Sequence, residues 1–404
     1  MIYQDLTIIF AVVFFYSIAS KALERKPVNG ALLFCLVGLA FGSYGLGWVQ
    51  LDISTESIRL LAELALAVVL FTDAAQTNLK TLAQNIALPR SLLLYGLPMT
   101  IILGAFAGLL LFPSLPILEI VLLAALLAPT DAALGKAVVT DKHVPPTIRE
   151  TLTVESGLND GICVPIVFTV LAVALKSSEF ESVSQLAATL FVKQIGMGIV
   201  IGISLAMITA KSIEYAHHKG WITRSWEQLI VVAIAICCFS VAQLSGGSGF
   251  IAAFVGGLTF GSMPMSENST TYQKKLVFTA EGIGDTLALG TWIIFGASVV
   301  GKIFTEFSWQ IFLYSLLSLT VVRMLPVFIS LSGHKLSTYD KLFMGWFGPR
   351  GLASIVFTVI ILDANLPNSP TLASIAVCTI ALSVFLHGLS THPLINRLGR
   401  AAQK

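Results

Sequence analysis

The chain has 404 residues, 56% of them hydrophobic and 11% charged, with a net charge of +2 and a mean hydropathy of +0.87. A soluble domain carries about 25% charged residues, so the composition argues against a soluble globular fold, and the near-neutral balance points to no nucleic-acid partner. The five cysteines lie in apolar stretches without a Cys-x-x-Cys pair, and the six histidines form no His-Glu-x-x-His. The cysteines therefore read as small buried side chains, and His217-His218 as solvated residues of a basic loop.

A membrane-spanning helix needs about 20 mostly apolar residues. By that measure about thirteen run along the chain, starting near Asp5, Val28, Glu56, Ala87, Leu115, Thr147, Ser184, Arg224, Ser248, Tyr272, Phe307, Thr338 and Ser369. No basic region precedes the first, which carries Asp5, so it reads as a retained helix and not a cleaved signal. The segment near Ser248 is short and Gly-rich. Connections are short, and residues 1–404 read as a single transmembrane domain without a sizeable soluble part. Of the 24 Lys and Arg, 18 fall in one set of alternate loops and at most 4 in the other. The positive-inside rule then places the N-terminus outside and the C-terminus in the cytoplasm of a multi-pass cell (inner) membrane protein.

A charge at the bilayer centre costs about 2.5–3.5 kcal/mol on insertion scales and calls for a function. The third helix carries Asp73, and the fifth reads Leu126-Leu-Ala-Pro129-Thr130-Asp131. Proline removes a backbone donor, and the carbonyls and amides it frees, with Thr130 and Asp131, can stand in for an ion's hydration shell. The sixth reads Glu155-Ser156-Gly-Leu-Asn159-Asp160. Ser156 and Asp160 share one face, and Glu155 and Asn159 a neighbouring one. The twelfth breaks at Gly348-Pro349-Arg350-Gly351. Two interruptions seven helices apart point to an inverted repeat with its site at the midplane. Asp131 and Arg350 are expected to offset the partial charges of the crossed helix ends. Glu63 and Glu119, nearer the outer ends, read as solvated or interfacial carboxylates. Glu281 and Asp285, four apart on the tenth helix, either line a cytoplasmic funnel or pair with Lys274 or Lys275.

The run Glu155-Ser-Gly-Leu-Asn-Asp160, after Pro129-Thr-Asp131, resembles the monovalent cation/proton antiporter family, in its Na+/H+ exchanger (NhaP-like) branch. The resemblance covers nearly the whole chain. It implies an all-α polytopic membrane protein with the inverted-repeat antiporter fold, broken in helices five and twelve. It also implies exchange of Na+, or Li+ or K+, for H+ in pH homeostasis, by a homodimer in the lipid bilayer, with no cofactor and no enzymatic reaction. Asp160 becomes the carboxylate that takes cation or proton, and Asp73, Ser156 and the Thr130 backbone complete the cation shell. Asn159 and Asp131 hold the site in shape, Glu155 pairs with Arg323, and Arg350 is the charge of the broken helix. Asp73 stands where relatives commonly carry Glu, and the tail lacks the long regulatory region of many of them. Asn159 before Asp160 implies electroneutral exchange.

Other readings fit less of the chain. Gly282-Ile-Gly-Asp285 and Tyr339-Asp340 supply the pieces of an intramembrane aspartyl protease in the wrong order. Gly246-Gly-Ser248-Gly249, with His387 in the last helix, matches a rhomboid-like serine motif in a chain with far too many helices. A channel or a cation-coupled symporter on the same fold is the remaining alternative.

Overall fold

The computed structural model describes residues 2–23, 30–49, 56–77, 87–131, 134, 138–139, 141–176, 183–263, 267–301, 303, 307–364 and 366–402. Every regular element among them is helical: α1 (Ile2–Leu23), α2 (Gly30–Phe41), α3 (Glu56–Gln76), α4 (Ala87–Leu111), α5 (Ile117–Leu126), α6 (Pro146–Lys176), α7 (Val183–His218), α8 (Arg224–Leu244), α9 (Gly249–Ser262), α10 (Glu267–Phe295), α11 (Trp309–Ser330), α12 (Thr338–Trp346), α13 (Leu352–Asp363) and α14 (Ser369–Ala402). Among the described residues, eight of these are long and apolar enough to cross a membrane, and α2, α5, α9 and α13 are shorter apolar helices. The expected start near Val28 lies outside the described residues, as do several loop cations used for orientation, among them Arg25, Lys26, Lys80, Lys136, Lys302 and Lys404.

Local chemistry sets the boundaries. Ser248 caps α9 by accepting from the Ile251 N–H at 3.4 Å, which gives the rhomboid-like serine a structural task. Ser337 and Asp340 form a capping box at the start of α12, so the Tyr339-Asp340 pair of the protease reading is a helix signal. The twelfth predicted helix is two, α12 and α13, separated by an extended stretch around Pro349.

The chain divides into two compact units. The first holds Met1–Arg59, Ala87–Asn159 and Leu289–Lys404, the second Leu60–Ile86 and Asp160–Ala288. In the first, Leu92, Ile148, Leu152, Val327, Leu331, Phe343, Met344 and Ile395 build a core joining α4, α6, α11, α12 and α14. In the second, α7, α8 and α9 pack on one another. A Cβ on Gly202 of α7 would stand 2.6 Å from the Ala252 carbonyl of α9, so only glycine permits that approach.

Some expectations need correction. Glu63 and Glu119 are buried within the protein, not solvated. Cys237 is exposed while the other four cysteines are buried. His217 lies in the last turn of α7 and stacks on Tyr272 with ring centroids 4.0 Å apart, an aromatic contact that a freely solvated loop would not hold. Lys275 pairs with Glu227 at 2.6 Å, and Glu281 accepts from Gln76 Nε2 at 3.2 Å.

Candidate functional site

The site in the first unit begins where α5 stops. Pro129 has no N–H, and the chain runs on through Thr130 and Asp131 without helical bonding. Buried carbonyls freed in this way need new donors. Ser354 Oγ donates to the Leu126 carbonyl at 2.9 Å. Arg350 Nη1 donates to the Ala128 and Pro129 carbonyls at 2.9 and 3.2 Å. The Ser156 hydroxyl donates to the Thr130 carbonyl.

The second break answers the first. The Asp131 N–H donates to the Pro349 carbonyl at 2.8 Å. The Asp131 carboxylate accepts from the Leu352 N–H at 3.0 Å, where α13 starts, and from the Leu134 N–H at 3.3 Å. An anion thus sits at the positive end of α13, and the Arg350 cation sits on the carbonyls at the negative end of α5. Two glycines permit this crossing. A Cβ at Gly348 would strike Arg323 Nε and stand 3.0 Å from Thr130 Cγ2, and one at Gly351 would collide with the Asp131 carboxylate.

Helix α6 supplies the third side. Asn159 Nδ2 donates to Thr130 Oγ1 at 2.6 Å, and Asn159 Oδ1 accepts from the Thr130 N–H at 3.3 Å. One side chain therefore fixes both the backbone and the hydroxyl of Thr130. One turn earlier, Glu155 Oε1 meets Arg323 Nη2 of α11 at 2.6 Å, with 3% and 2% of the two side chains exposed. Such a pair is stable only when each charge answers the other.

Thr130, Asp131, Glu155, Ser156, Asn159, Arg323 and Arg350 are thus brought together in the first unit. Asp160 and Asp73 belong to the second. Asp160 follows Asn159 along α6 and is buried. Asp73 is half-buried on α3, its carbonyl accepting from Thr77 Oγ1 at 3.0 Å. Both α3 and α6 pack against α9 there, through Phe71 beside Gly257 and Phe254 beside Gly161. Among the described residues no three His, Cys, Asp or Glu side chains group as a metal cage.

The family model described as sodium/hydrogen exchanger, transmembrane, matches residues 8–397. The chain belongs to that family. With its long apolar helices it is a multi-pass membrane protein. Among curated proteins it is similar to the K(+)/H(+) antiporter NhaP2 of Shewanella sp. (strain ANA-3), 24% identical over 372 residues, which is 92% of this chain and 63% of that protein. It is also similar to the K(+)/H(+) antiporter NhaP of Alkalimonas amylolytica, 23% identical over 96% of this chain and 66% of that one. The chain therefore spans just under two thirds of the length of these relatives. The structure of the sodium proton antiporter MjNhaP1 from Methanocaldococcus jannaschii at pH 8 matches with a TM-score of 0.78 at 21% identity, covering 98% of this chain and 99% of that one. The exchanger-family chain thus has that antiporter fold.

Motif reading missed Ser354 of α13 and Ser383 of α14, and weighed His387 only for the rhomboid-like reading. A signal was present: Thr379, Ser383, His387 and Thr391 recur every fourth residue on an otherwise apolar helix, one polar line on one face.

Proposed function

We propose that the chain exchanges a monovalent cation for protons, one for one, across a cell membrane, with Na+ as the cation. The observation that carries this reading is the opening of α5. There the Thr130 carbonyl and hydroxyl meet Ser156 and Asn159 inside apolar helices, one residue along α6 from the buried Asp160. Neutral oxygens beside a carboxylate suit a partly dehydrated monovalent cation, which needs one charge and several dipoles.

The mechanism follows from one carboxylate serving two ligands. In an apolar setting the charge on Asp160 must be neutralised, by a proton or by a cation, and one group takes one at a time. If only the neutralised forms change access, the two fluxes are coupled. Ser156 and the Thr130 carbonyl would turn their oxygens to the cation, with Asp73 as a further ligand. Asn159, which is neutral, holds Thr130 and adds no second ionisable group, which supports electroneutral exchange. Glu155, Arg323, Asp131 and Arg350 hold the crossing in place. The distribution of Lys and Arg supports an N-terminus outside and a cytoplasmic C-terminus, and family membership supports a homodimer.

A second reading keeps the mechanism and changes the ion. Both curated relatives described above carry K(+)/H(+) in their names, and Asp73 is one methylene shorter than the commoner Glu. The test is proton movement in proteoliposomes, followed with an internal pH dye during pulses of Na+, Li+, K+ and choline, for wild type and Asp160→Asn. Na+-driven proton movement that disappears in the variant supports the proposal, and a response to K+ alone selects the second reading. Silence toward every cation from about pH 6 to 9 in folded wild-type protein overturns both.

A further inference from the structure

In an unbroken helix the Arg350 N–H would donate to the Trp346 carbonyl four residues back. Pro349 and the extended stretch remove that bond. The Trp346 carbonyl accepts from the Gly348 N–H at 2.8 Å, and α14 supplies a partner to both groups. The Arg350 N–H donates to Ser383 Oγ at 2.7 Å. Ser383 Oγ lies 3.2 Å from His387 Nδ1, and His387 Nε2 lies 2.8 Å from the Trp346 carbonyl oxygen. Ser383, His387 and Arg350 are all buried.

We propose that Ser383 and His387 are positioning residues that bridge, through two side chains, one of the helical hydrogen bonds lost across the break between α12 and α13. The direction of donation runs in one sense. Arg350 N–H donates to the Ser383 hydroxyl, that hydroxyl donates to Nδ1, and Nε2–H donates to the Trp346 carbonyl. This fixes the imidazole in its Nε2–H tautomer. The opposite tautomer would donate from Nδ1 to the Ser383 carbonyl at 2.8 Å, strand the Ser383 proton and face two lone pairs at Trp346. The Trp346 side chain is held to α14 as well, its Nε1–H donating to Ser390 Oγ at 2.8 Å and its ring lying 5.0 Å from that of His387.

The bridge reaches the ion site through Arg350. Anchoring its backbone sets the guanidinium on the Ala128 and Pro129 carbonyls, and these immediately precede Thr130. Loss of the bridge loosens the Thr130 oxygens without removing any of them. The consequence for transport rests on the cation-exchange reading; the bridge itself does not.

Three variants separate bridging from packing. His387→Phe keeps a ring beside Trp346 and cannot bridge. His387→Gln loses the ring but can accept from Ser383 and donate to Trp346. Ser383→Ala removes one hydroxyl. In proteoliposomes, His387→Phe and Ser383→Ala should each raise the cation KM about tenfold, the scale of outer-partner effects on ion affinity, with a smaller change in maximal rate. His387→Gln should stay near wild type. In detergent, hydrogen–deuterium exchange at the Gly348 and Arg350 amides should quicken in His387→Phe and Ser383→Ala and not in His387→Gln. Wild-type protection and KM in His387→Phe, or His387→Gln doing as much harm as His387→Phe, overturns the proposal. If His387→Phe does not fold, Ser383→Ala decides by the same two readouts. If wild type moves no protons, the exchange reading fails and amide protection still decides on the bridge.

Discussion

The break after α5 and the break between α12 and α13 both follow from a proline, and both end in a charge, but they are satisfied in different ways. The first is a row of carbonyls met by side chains from other helices: Ser354, Arg350 and Ser156. The second is a backbone held by Asp131 and by the polar line of α14. A break that receives its donors from several directions can present an oxygen to a ligand when one donor turns away. A break fixed by one aspartate and by side chains of an intact helix can supply those donors without moving itself. The fifth-helix break therefore suits a binding surface, and the twelfth-helix break suits its support.

The largest effect should come from the ion pair beside the support. Removing the cation alone, Arg323→Met, leaves Glu155 charged and buried and should cost about 3–5 kcal/mol. This would appear as a large drop in the unfolding midpoint of purified protein in detergent. Joining Glu155→Leu to it should restore most of the loss, because two apolar groups replace two compensated charges. A double variant as unstable as the single one would mean that Glu155 has an independent task at Thr130, and the division between binding surface and support would weaken.

Next come the glycines of the crossing. A methyl at Gly351 meets the Asp131 carboxylate and one at Gly348 meets Arg323. Gly351→Ala and Gly348→Ala should each cost about 1–3 kcal/mol, the usual scale of overpacking. Gly345→Ala, whose Cβ would stand 3.2 Å from Met324 Cα, should cost less. Equal losses at all three, read from the same unfolding midpoints, would show that the crossing is no tighter than the helix before it.

These glycines mark how far the sequence could be read. The apolar runs, the two prolines and the carboxylates of α6 were legible, because a charge or a helix breaker in an apolar helix has few structural explanations. The partners were not. Ser354, Ser383 and His387 lie far along the chain from the groups they satisfy, and a hydroxyl in an apolar helix usually bonds its own backbone. The burial of Glu63 and Glu119 was hidden for a related reason: distance along a helix from its end does not say which face the neighbours cover. The long apolar helices, eight of which among the described residues could cross a membrane, were legible mainly from length. The breaks show why counting is harder than finding, since one expected span is two helices, α12 and α13.

A milder change tests the charge that links the breaks. Asp131→Asn keeps an oxygen for the Leu352 N–H but removes the negative charge from the start of α13 and from the Leu134 amide. Capping and dipole effects of this kind are about 0.5–2 kcal/mol. Hydrogen exchange should rise in the first turn of α13 and leave the Ser383–His387 contacts protected. Loss of protection in both places would mean that Asp131, not α14, holds the second break.

The smallest effect belongs to an aspartate with similar partners outside the membrane helices. Asp141, in the loop before α6, accepts from the His143 N–H at 2.8 Å and lies 2.7 Å from that ring's Nδ1. Partial burial pushes its carboxyl up, but the His143 backbone and ring, with His392 nearby, outweigh this and hold it below the ordinary 3.8. A lowered value means the folded chain favours the carboxylate. That contribution is present above the ordinary value and is lost as the pH falls through the lowered one. Exposed pairs of this kind contribute about 0.2–1 kcal/mol. The midpoint difference between wild type and Asp141→Asn should therefore be small and should shrink below about 4. A difference that does not shrink on acidification through the carboxylate range would show that Asp141 is not held as a carboxylate. An aspartate that accepts backbone N–H groups would then need the setting of a broken helix, as at Asp131, to contribute to the fold.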